Sequence, residues 1–378
     1  MEIYAVLKIV WWLLVGVLLV GIATMMGTDL GIGAVLRLVG RTDRERGQAL
    51  EVIAPHWDSN QVWFVLTGGI MFAAWPLVYA TAFSGLYVVM MVLLWTMILR
   101  PLGFEYRSKL AASGWRNLWD WALVISGVIP MLVFGAAVGN LFQGLPFRFD
   151  WQLASRYTGS FLDLFNPFAL FCGVLALSLA VYMGATRLMI STGGRLHRRA
   201  RMLAWFAALL AVASFAVGGH WVSGMDGYRL VHTAPIGSAQ TPLQQSVQLE
   251  AGAWMGNFRQ HPWGWLLPTA VGISLSIGAV VLRAGRALLA WWLGAAAWTG
   301  VIGTAGFALF PFLMPSSIRP DQSLTVWNAA AGPYTLSWML AAMAILLPLV
   351  IWYVGWSFQV MRGKVSGEHP VVERRVRD

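Results

Sequence analysis

Few residues in this chain have side chains able to relay a proton, hold a metal or grip a cofactor. The acids come first. Asp29 stands in Met26-Gly27-Thr28-Asp29-Leu30-Gly31, within or at the end of the first long apolar run. An ionised carboxylate in hydrocarbon costs at least about 2.5 kcal/mol, so such groups face protein or water and tend to be functional. Two roles fit Asp29. It is a proton relay, or Gly27, Gly31 and Gly33 break the helix and its carboxylate binds the freed amides. Asp58 follows His56-Trp57 and has Gln61 three residues on, which resembles a capping box. A cap carboxylate at a channel mouth also accepts protons, so the two roles are compatible. Asp120, in Trp119-Asp120-Trp121, reads more strongly as a cap. Arg100-Pro101 closes a later apolar run, where a snorkelling arginine is the default. Trp57 and Trp63 read first as interface-belt residues. With Arg100 they would also offer a quinone two ring faces and a donor at headgroup level, beside an apolar cleft for its tail.

Metal and haem chemistry find little here. There is one cysteine, Cys172, so a Cys-based cluster and an internal disulfide are excluded. Ligation of haem b by two imidazoles needs His side chains at matching depth on neighbouring helices. Of His56, His197, His220, His232, His261 and His369, only His220 and His261 could meet, across one loop. The chain is therefore expected to ligate no haem or metal by itself and to carry no catalytic residue of its own. No Walker motif, Ser/His/Asp spacing or phosphate-binding glycine loop is present.

The elements that must position these groups follow from composition. Of 378 residues, 58% are hydrophobic and 11% charged, against about 25% charged in a soluble domain. So few charges cannot cover a water-exposed surface, and a disordered chain needs the opposite balance. The 22 tryptophans suit a polytopic membrane protein with aromatic rings at both interfaces. The net charge of +10 reflects arginines gathered in loops between apolar runs, and nucleic-acid binding is set aside. A spanning helix needs about 20 apolar residues. Read between charges, the chain gives nine spans: about 9–34, 59–75, 77–99, 119–142, 163–186, 202–222, 263–282, 290–312 and 336–360. Trp75-Pro76 divides the run from Asp58 to Arg100 into a hairpin, since proline removes a donor and clashes with the preceding turn. The prediction is an all-α single membrane domain, with a first bundle over about 1–142 and a second bundle plus one peripheral helix over about 143–378. The first run is too long for a signal-peptide core and lacks a small-x-small cleavage site.

Orientation follows from the arginines. Arg37, Arg41, Arg44 and Arg46 follow the first span; Arg100, Arg107, Lys109 and Arg116 the third; Arg187, Arg195, Arg198, Arg199 and Arg201 the fifth. The tail has Arg362, Lys364, Arg374, Arg375 and Arg377, and the alternate loops are poorer. With nine spans this predicts the N-terminus outside and the C-terminus inside. On these grounds alone the chain is a nine-span protein with one or two buried acids, either a solute transporter or a respiratory subunit.

Longer motifs separate the two. Trp11-Trp12-Leu13-Leu14-Val15-Gly16, Ile53-Ala54-Pro55-His56-Trp57-Asp58-Ser59-Asn60-Gln61-Val62-Trp63 and Phe72-Ala73-Ala74-Trp75-Pro76 come first. Arg100-Pro101-Leu102-Gly103-Phe104-Glu105-Tyr106-Arg107-Ser108-Lys109 and Trp115-Arg116-Asn117-Leu118-Trp119-Asp120 follow. Later come Glu250-Ala251-Gly252-Ala253-Trp254 and Phe310-Pro311-Phe312-Leu313-Met314-Pro315-Ser316-Ser317. In these, the chain resembles subunit II of the cytochrome bd quinol oxidases along its whole length. The resemblance implies two four-helix bundles plus one peripheral helix, in a bacterial inner membrane. It implies a heterodimer with subunit I, which carries two b-type haems and haem d, oxidises quinol and reduces dioxygen to water. It implies a supporting role in proton uptake from the cytoplasm, with Asp29 and Asp58 at matching positions. Small single-helix accessory subunits, membrane lipids and a structural ubiquinone complete the implied partners. One position departs. The family's first-span motif is commonly Asp-Gly-x-Asp-x-Gly, and Met26 stands where its first acid would be, so a relay using that acid must be rerouted through water. A transporter would instead favour polar groups near the midplane, and spans four to nine have no charge there.

Overall fold

The first apolar run folds as one long helix with an irregular turn inside it. In the computed structural model, which describes residues 2–360, α1 (Glu2–Gly21) passes through a π-helical turn at Ile22–Met26 into α2 (Gly27–Val39). The span runs from Ile3 to Val39, longer than the expected 9–34. Lys8 does not limit it, because its amine is hydrogen-bonded to carbonyls inside the protein. α3 (Asp43–Glu51) begins with a full capping box: the Glu45 amide donates to the Thr42 hydroxyl, and the Thr42 amide donates to the Glu45 carboxylate.

The break at Trp75-Pro76 is present, but its consequence differs from the expected hairpin. α4 (Trp57–Ala74) ends at Trp75 (φ −132°, ψ 70°). α5 (Pro76–Gly85) leaves at 115° to it. A second break at Leu86 (φ −97°, ψ 28°) precedes α6 (Tyr87–Tyr106). The third span therefore begins at Tyr87 rather than 77, and α5 belongs with α4 in a bent pair. α7 (Ser113–Gln143) follows, then a hairpin of β1 (Phe147–Phe149) and β2 (Ser155–Tyr157) with Arg148 opposite Arg156. α8 (Pro167–Ser191) starts on an Asn166 cap whose side chain accepts from the Ala169 amide, four residues later than expected. α9 (Gly194–Gly224) leads to the antiparallel pair β3 (Asp226–Thr233) and β4 (Gln245–Ala251). α10 (Gly256–Gln260), α11 (Leu266–Arg283), α12 (Ala287–Leu309), the pair β5 (Phe312–Met314) and β6 (Leu324–Thr325), and α13 (Pro333–Val360) complete the order. Eight helices among the described residues are long and apolar enough to cross a membrane, and the bent α4–α5 pair makes a ninth. The tail residues Arg362, Lys364, His369, Arg374, Arg375, Arg377 and Asp378 lie outside the described residues.

α8, α9, α11 and α12 close a ring, each packed on the next. α2 lies against both α7 and α8, α6 against α7, and α13 against α1 and α4. Association between helices in lipid depends on close backbone approach at small residues. A Cβ on Gly31 would lie 1.8 Å from the Ala180 carbonyl oxygen, and one on Gly127 would lie 2.4 Å from that of Leu30. These two contacts fix α2, and Asp29 with it, between α7 and α8.

The loops fall on two faces. On one, the hairpins interlock: the Leu145 amide donates to Pro315 O, the Val247 amide to Asp321, and the Lys8 amine to Ile236 O and Ser238 O. On the other, α3 is tied to the α6–α7 loop, to the start of α7 and to α9 by arginines. The second is the arginine-rich face of the sequence and the first is the arginine-poor one.

Candidate functional site

Three helices bring polar groups together near the arginine-rich end. Asp29 on α2 is 5% exposed, Arg100 on α6 is 3% and Asn60 on α4 is 1%. The Asn60 amide donates to Asp29 Oδ2 at 2.9 Å, and Arg100 Nη2 lies 3.6 Å from the same oxygen. Arg187 on α8 is within electrostatic reach. Beside them is a small cavity lined by Asp29, Gly33, Arg100, Phe104, Leu123 and Ser126, with room for about one water. The Arg100 guanidinium nitrogens Nη1 and Nη2 and the Asn60 oxygen make no hydrogen bond among the described residues. Buried polar groups are normally satisfied. Here donors and an acceptor are held next to a carboxylate and a cavity, an arrangement that can bind and orient a water or a mobile proton.

The predicted residues divide at this site. Asp29 and Arg100 meet; Arg100 does not snorkel. Asp58 lies in the first turn of α4 and is exposed. Two residues along a helix turn the side chain by about 200°, so Asp58 and Asn60 leave α4 in opposite directions. Asp58 makes no cap; the capping box belongs to Thr42 and Glu45 instead. Trp57 stacks on Phe104 at 5.7 Å and so backs the cavity wall. Trp63 is buried against Gly21, where a Cβ would fall 2.2 Å from its ring. Asp120 is also no cap: it is fully buried inside α7, because that helix begins six residues before the expected 119. Its carboxylate takes Arg107 at 2.6 Å and Arg46 at 3.2 Å. Arg107 and Arg116 also hold Asp43. Partial burial opposes the Asp43 charge, but the two guanidiniums prevail and keep its carboxyl below the usual range.

Sequence reasoning does not reach Asn60, Arg187 or the Asp43–Arg107–Asp120 clamp as parts of a site. The capping box Thr42-x-x-Glu45 is a readable signal for the start of α3. Asn60 and Arg187 have none, because an amide or an arginine in a helix does not announce which neighbour it faces.

His220, His232 and His261 are exposed, and the His197 ring lies 3.0 Å from Met189 O. His56 is buried where α3 leads into α4, and burial together with the Arg187 charge pushes its pKa down to about 4. No group of three or more His, Cys, Asp or Glu among the described residues could hold a metal ion.

The sequence profile of the family described as cytochrome bd terminal oxidase subunit II matches residues 7–361. The chain belongs to that family. It is 44% identical to the cytochrome bd-I ubiquinol oxidase subunit 2 of Escherichia coli K12, over 97% of each chain. It is 41% identical to a probable cytochrome oxidase subunit 2 of Haemophilus influenzae, over 96% of each. It is 30% identical to the cytochrome bd ubiquinol oxidase subunit 2 of Bacillus subtilis, over 96% of this chain and 97% of that one. Among solved structures, a chain of the bd oxidase from Geobacillus thermodenitrificans superposes with a TM-score of 0.65 at 11% identity, covering 96% of this chain and all of the other; that likeness concerns the fold. In a bd-type subunit II the Asp29–Asn60–Arg100 cluster belongs to a chain that works beside a redox subunit, which sets its chemistry apart from a transporter's solute site.

Proposed function

We propose that this subunit II sits in a bacterial cytoplasmic membrane beside subunit I, the bearer of two b-type haems and haem d, and passes protons toward the site of oxygen reduction. Subunit I supplies the redox chemistry when assembled. This chain's own residues would stabilise the partner and hold the proton. The arginine-rich face lies in the cytoplasm by the positive-inside bias, with the N-terminus periplasmic and the tail cytoplasmic. A reporter active only in the cytoplasm, fused after Asp378, gives signal on this reading; silence there with an active periplasmic reporter overturns it.

The observation that carries the proton role is the buried carboxylate of Asp29 beside a cavity and two partly unsatisfied polar groups. Asp29 takes up a proton as a neutral acid and releases it as a carboxylate steadied by Asn60 and by Arg100 3.6 Å away. Asp58, exposed on the same face, collects protons from bulk water. Its carboxylate does not touch Asp29, so water between them carries the transfer. Met26 is fully buried in the π-helical turn and leaves Asp29 as the acid of this segment. Accessory single-helix subunits and lipids would bind the exposed apolar helix faces. A structural ubiquinone against Trp57, Trp63 and Arg100 has weaker support than the relay, since each of the three is packed on protein: Phe104, Gly21 and Asp29 respectively.

The test is quinol-driven oxygen uptake per haem d in the purified complex. Asp29→Asn is expected to slow turnover on the order of a hundredfold or more, the range of a lost proton-transfer group, with haem content intact. Asp58→Asn slows it in the same direction. Full turnover in both variants would show that the protons travel wholly through subunit I.

A further inference from the structure

On the face opposite Asp29, the β1–β2 hairpin and the segment after β5 frame an open pocket lined by Arg148, Phe149, Asp150, Arg156, Arg319 and Gln322. The strand register sets Arg148 directly opposite Arg156. In an antiparallel pair such residues share a face with Cβ atoms about 5 Å apart, and like charges there repel. Arg319 brings a third guanidinium to the same pocket. One carboxylate answers them. Asp150 lies 4.0 Å from Arg156, and its other oxygen is taken by the Gln152 and Ala154 amides. Among the described residues Arg148 and Arg319 have no ion pair, so the pocket carries a net charge near +2.

The arginines stand on a fixed frame. The Gln322 side chain brackets Phe149, accepting from its amide at 2.7 Å and donating to its carbonyl at 3.2 Å. The Ser316 hydroxyl donates to Phe147 O and accepts from the Arg319 amide. Phe147 and Phe149 are buried on the inner side of the strand, which turns Arg148 outward. A rigid backbone that holds three like charges together with one protein counter-ion among them is unfavourable until an anion binds. Guanidiniums favour oxyanions that accept two parallel N–H bonds. The hairpin begins four residues after Gln143, the end of the spanning helix α7, and a segment so close to a span end falls near the headgroups. Trp151 at its tip is 83% exposed and Leu162, just before α8, is 75% exposed; both suit the headgroup boundary.

We propose that Arg148, Arg156 and Arg319 form a phosphate-binding pocket that holds the headgroup of an anionic phospholipid. The proposal is independent of the proton role of Asp29. The test titrates the intact, delipidated two-subunit complex with monomeric short-chain phosphatidylglycerol and, separately, with inorganic phosphate, and reads the thermal midpoint. Short-chain phosphatidylglycerol is expected to raise it, and Arg148→Gln or Arg319→Gln to weaken the apparent affinity about tenfold, as for a lost charged hydrogen bond. Asp150→Asn removes the lone negative charge while keeping an acceptor for the turn, and is expected to tighten binding, which a folding defect cannot do. Tighter binding of the lipid than of phosphate identifies the source as lipid. Equal binding of both, lost in the arginine variants, keeps the oxyanion site and assigns it to free phosphate, overturning the lipid assignment. No response to either, or responses unchanged in all three variants, overturns the site.

Discussion

Two buried cations, one at each end of the molecule, are treated in opposite ways. Lys8 is fully buried near the arginine-poor face and all three of its donors are used: Ile236 O at 3.1 Å, Ser238 O at 3.0 Å and Trp327 O at 2.8 Å. The Tyr4 ring lies 4.1 Å away. Arg100 is almost as buried near the arginine-rich face, yet its two terminal nitrogens make no hydrogen bond and its nearest acid is 3.6 Å off. A buried charge with every bond made rigidifies its surroundings, whereas one left partly unsatisfied costs stability. The Lys8 end is thus fastened, with β3–β4 and the β6–α13 segment pinned onto α1. The Arg100 end retains groups that can respond to a moving proton.

The largest expected effect tests the fastened end. Lys8→Met removes three donors at once and leaves three carbonyls without a partner, each costing about 1 kcal/mol or more. The variant complex should lose about 3 kcal/mol of stability, read as a lower thermal midpoint, while turnover per assembled complex stays unchanged. A midpoint equal to that of the parent would mean that the cage is no more than a local contact.

A second, smaller effect lies beside the responsive end. His56 has its pKa pushed down to about 4 in the folded chain, against about 6.5 unfolded. At pH 7 both forms are neutral and its contribution is fully present. As pH falls below 6.5 the unfolded state gains the proton first, so stability declines until about pH 4. The loss by pH 5 is at most about 2 kcal/mol, and solvent screening reduces it. Hydrogen exchange in α3 and the start of α4 should therefore quicken between pH 7 and pH 5, and His56→Gln should flatten that dependence. An equal acceleration in the variant would place the acid sensitivity elsewhere.

How far the sequence reveals this contrast depends on the residue. Asp29 is visible because an acid inside an apolar run is costly wherever the run folds. Pro76 is visible because its effect on the backbone is local. Leu86 is not, since nothing in its side chain breaks a helix, and the expected third span consequently starts ten residues early. Lys8 serves in the sequence only to mark the edge of a run; its three acceptors come from residues more than two hundred positions away. Arg100 reads as a snorkelling residue because sequence gives depth along a helix but not the face it presents. Asp58 and Asp120 read as caps because the expected helix starts lie a few residues off, and the shift moves Asp120 into the middle of a turn where only arginines could satisfy it.

The smallest effect on stability separates the two ends most sharply. Removing either partner of a buried pair alone leaves a charge uncompensated, which typically costs about 3–5 kcal/mol. Replacing both together removes that penalty. Arg100→Met combined with Asp29→Asn should therefore assemble with a midpoint within about 1 kcal/mol of the parent, since few hydrogen bonds are lost and a buried pair is often replaceable by neutral groups at little cost. The amide oxygen introduced at position 29 would still accept from Asn60. Turnover is the other readout. With no group left at position 29 to take a proton, oxygen uptake per assembled complex should be as low as in Asp29→Asn alone. If the double variant instead recovers turnover together with stability, Asp29 and Arg100 serve only to join α2 to α6. The arginine-rich end would then be fastened like the other, and the difference between the two cations would be one of bonding alone.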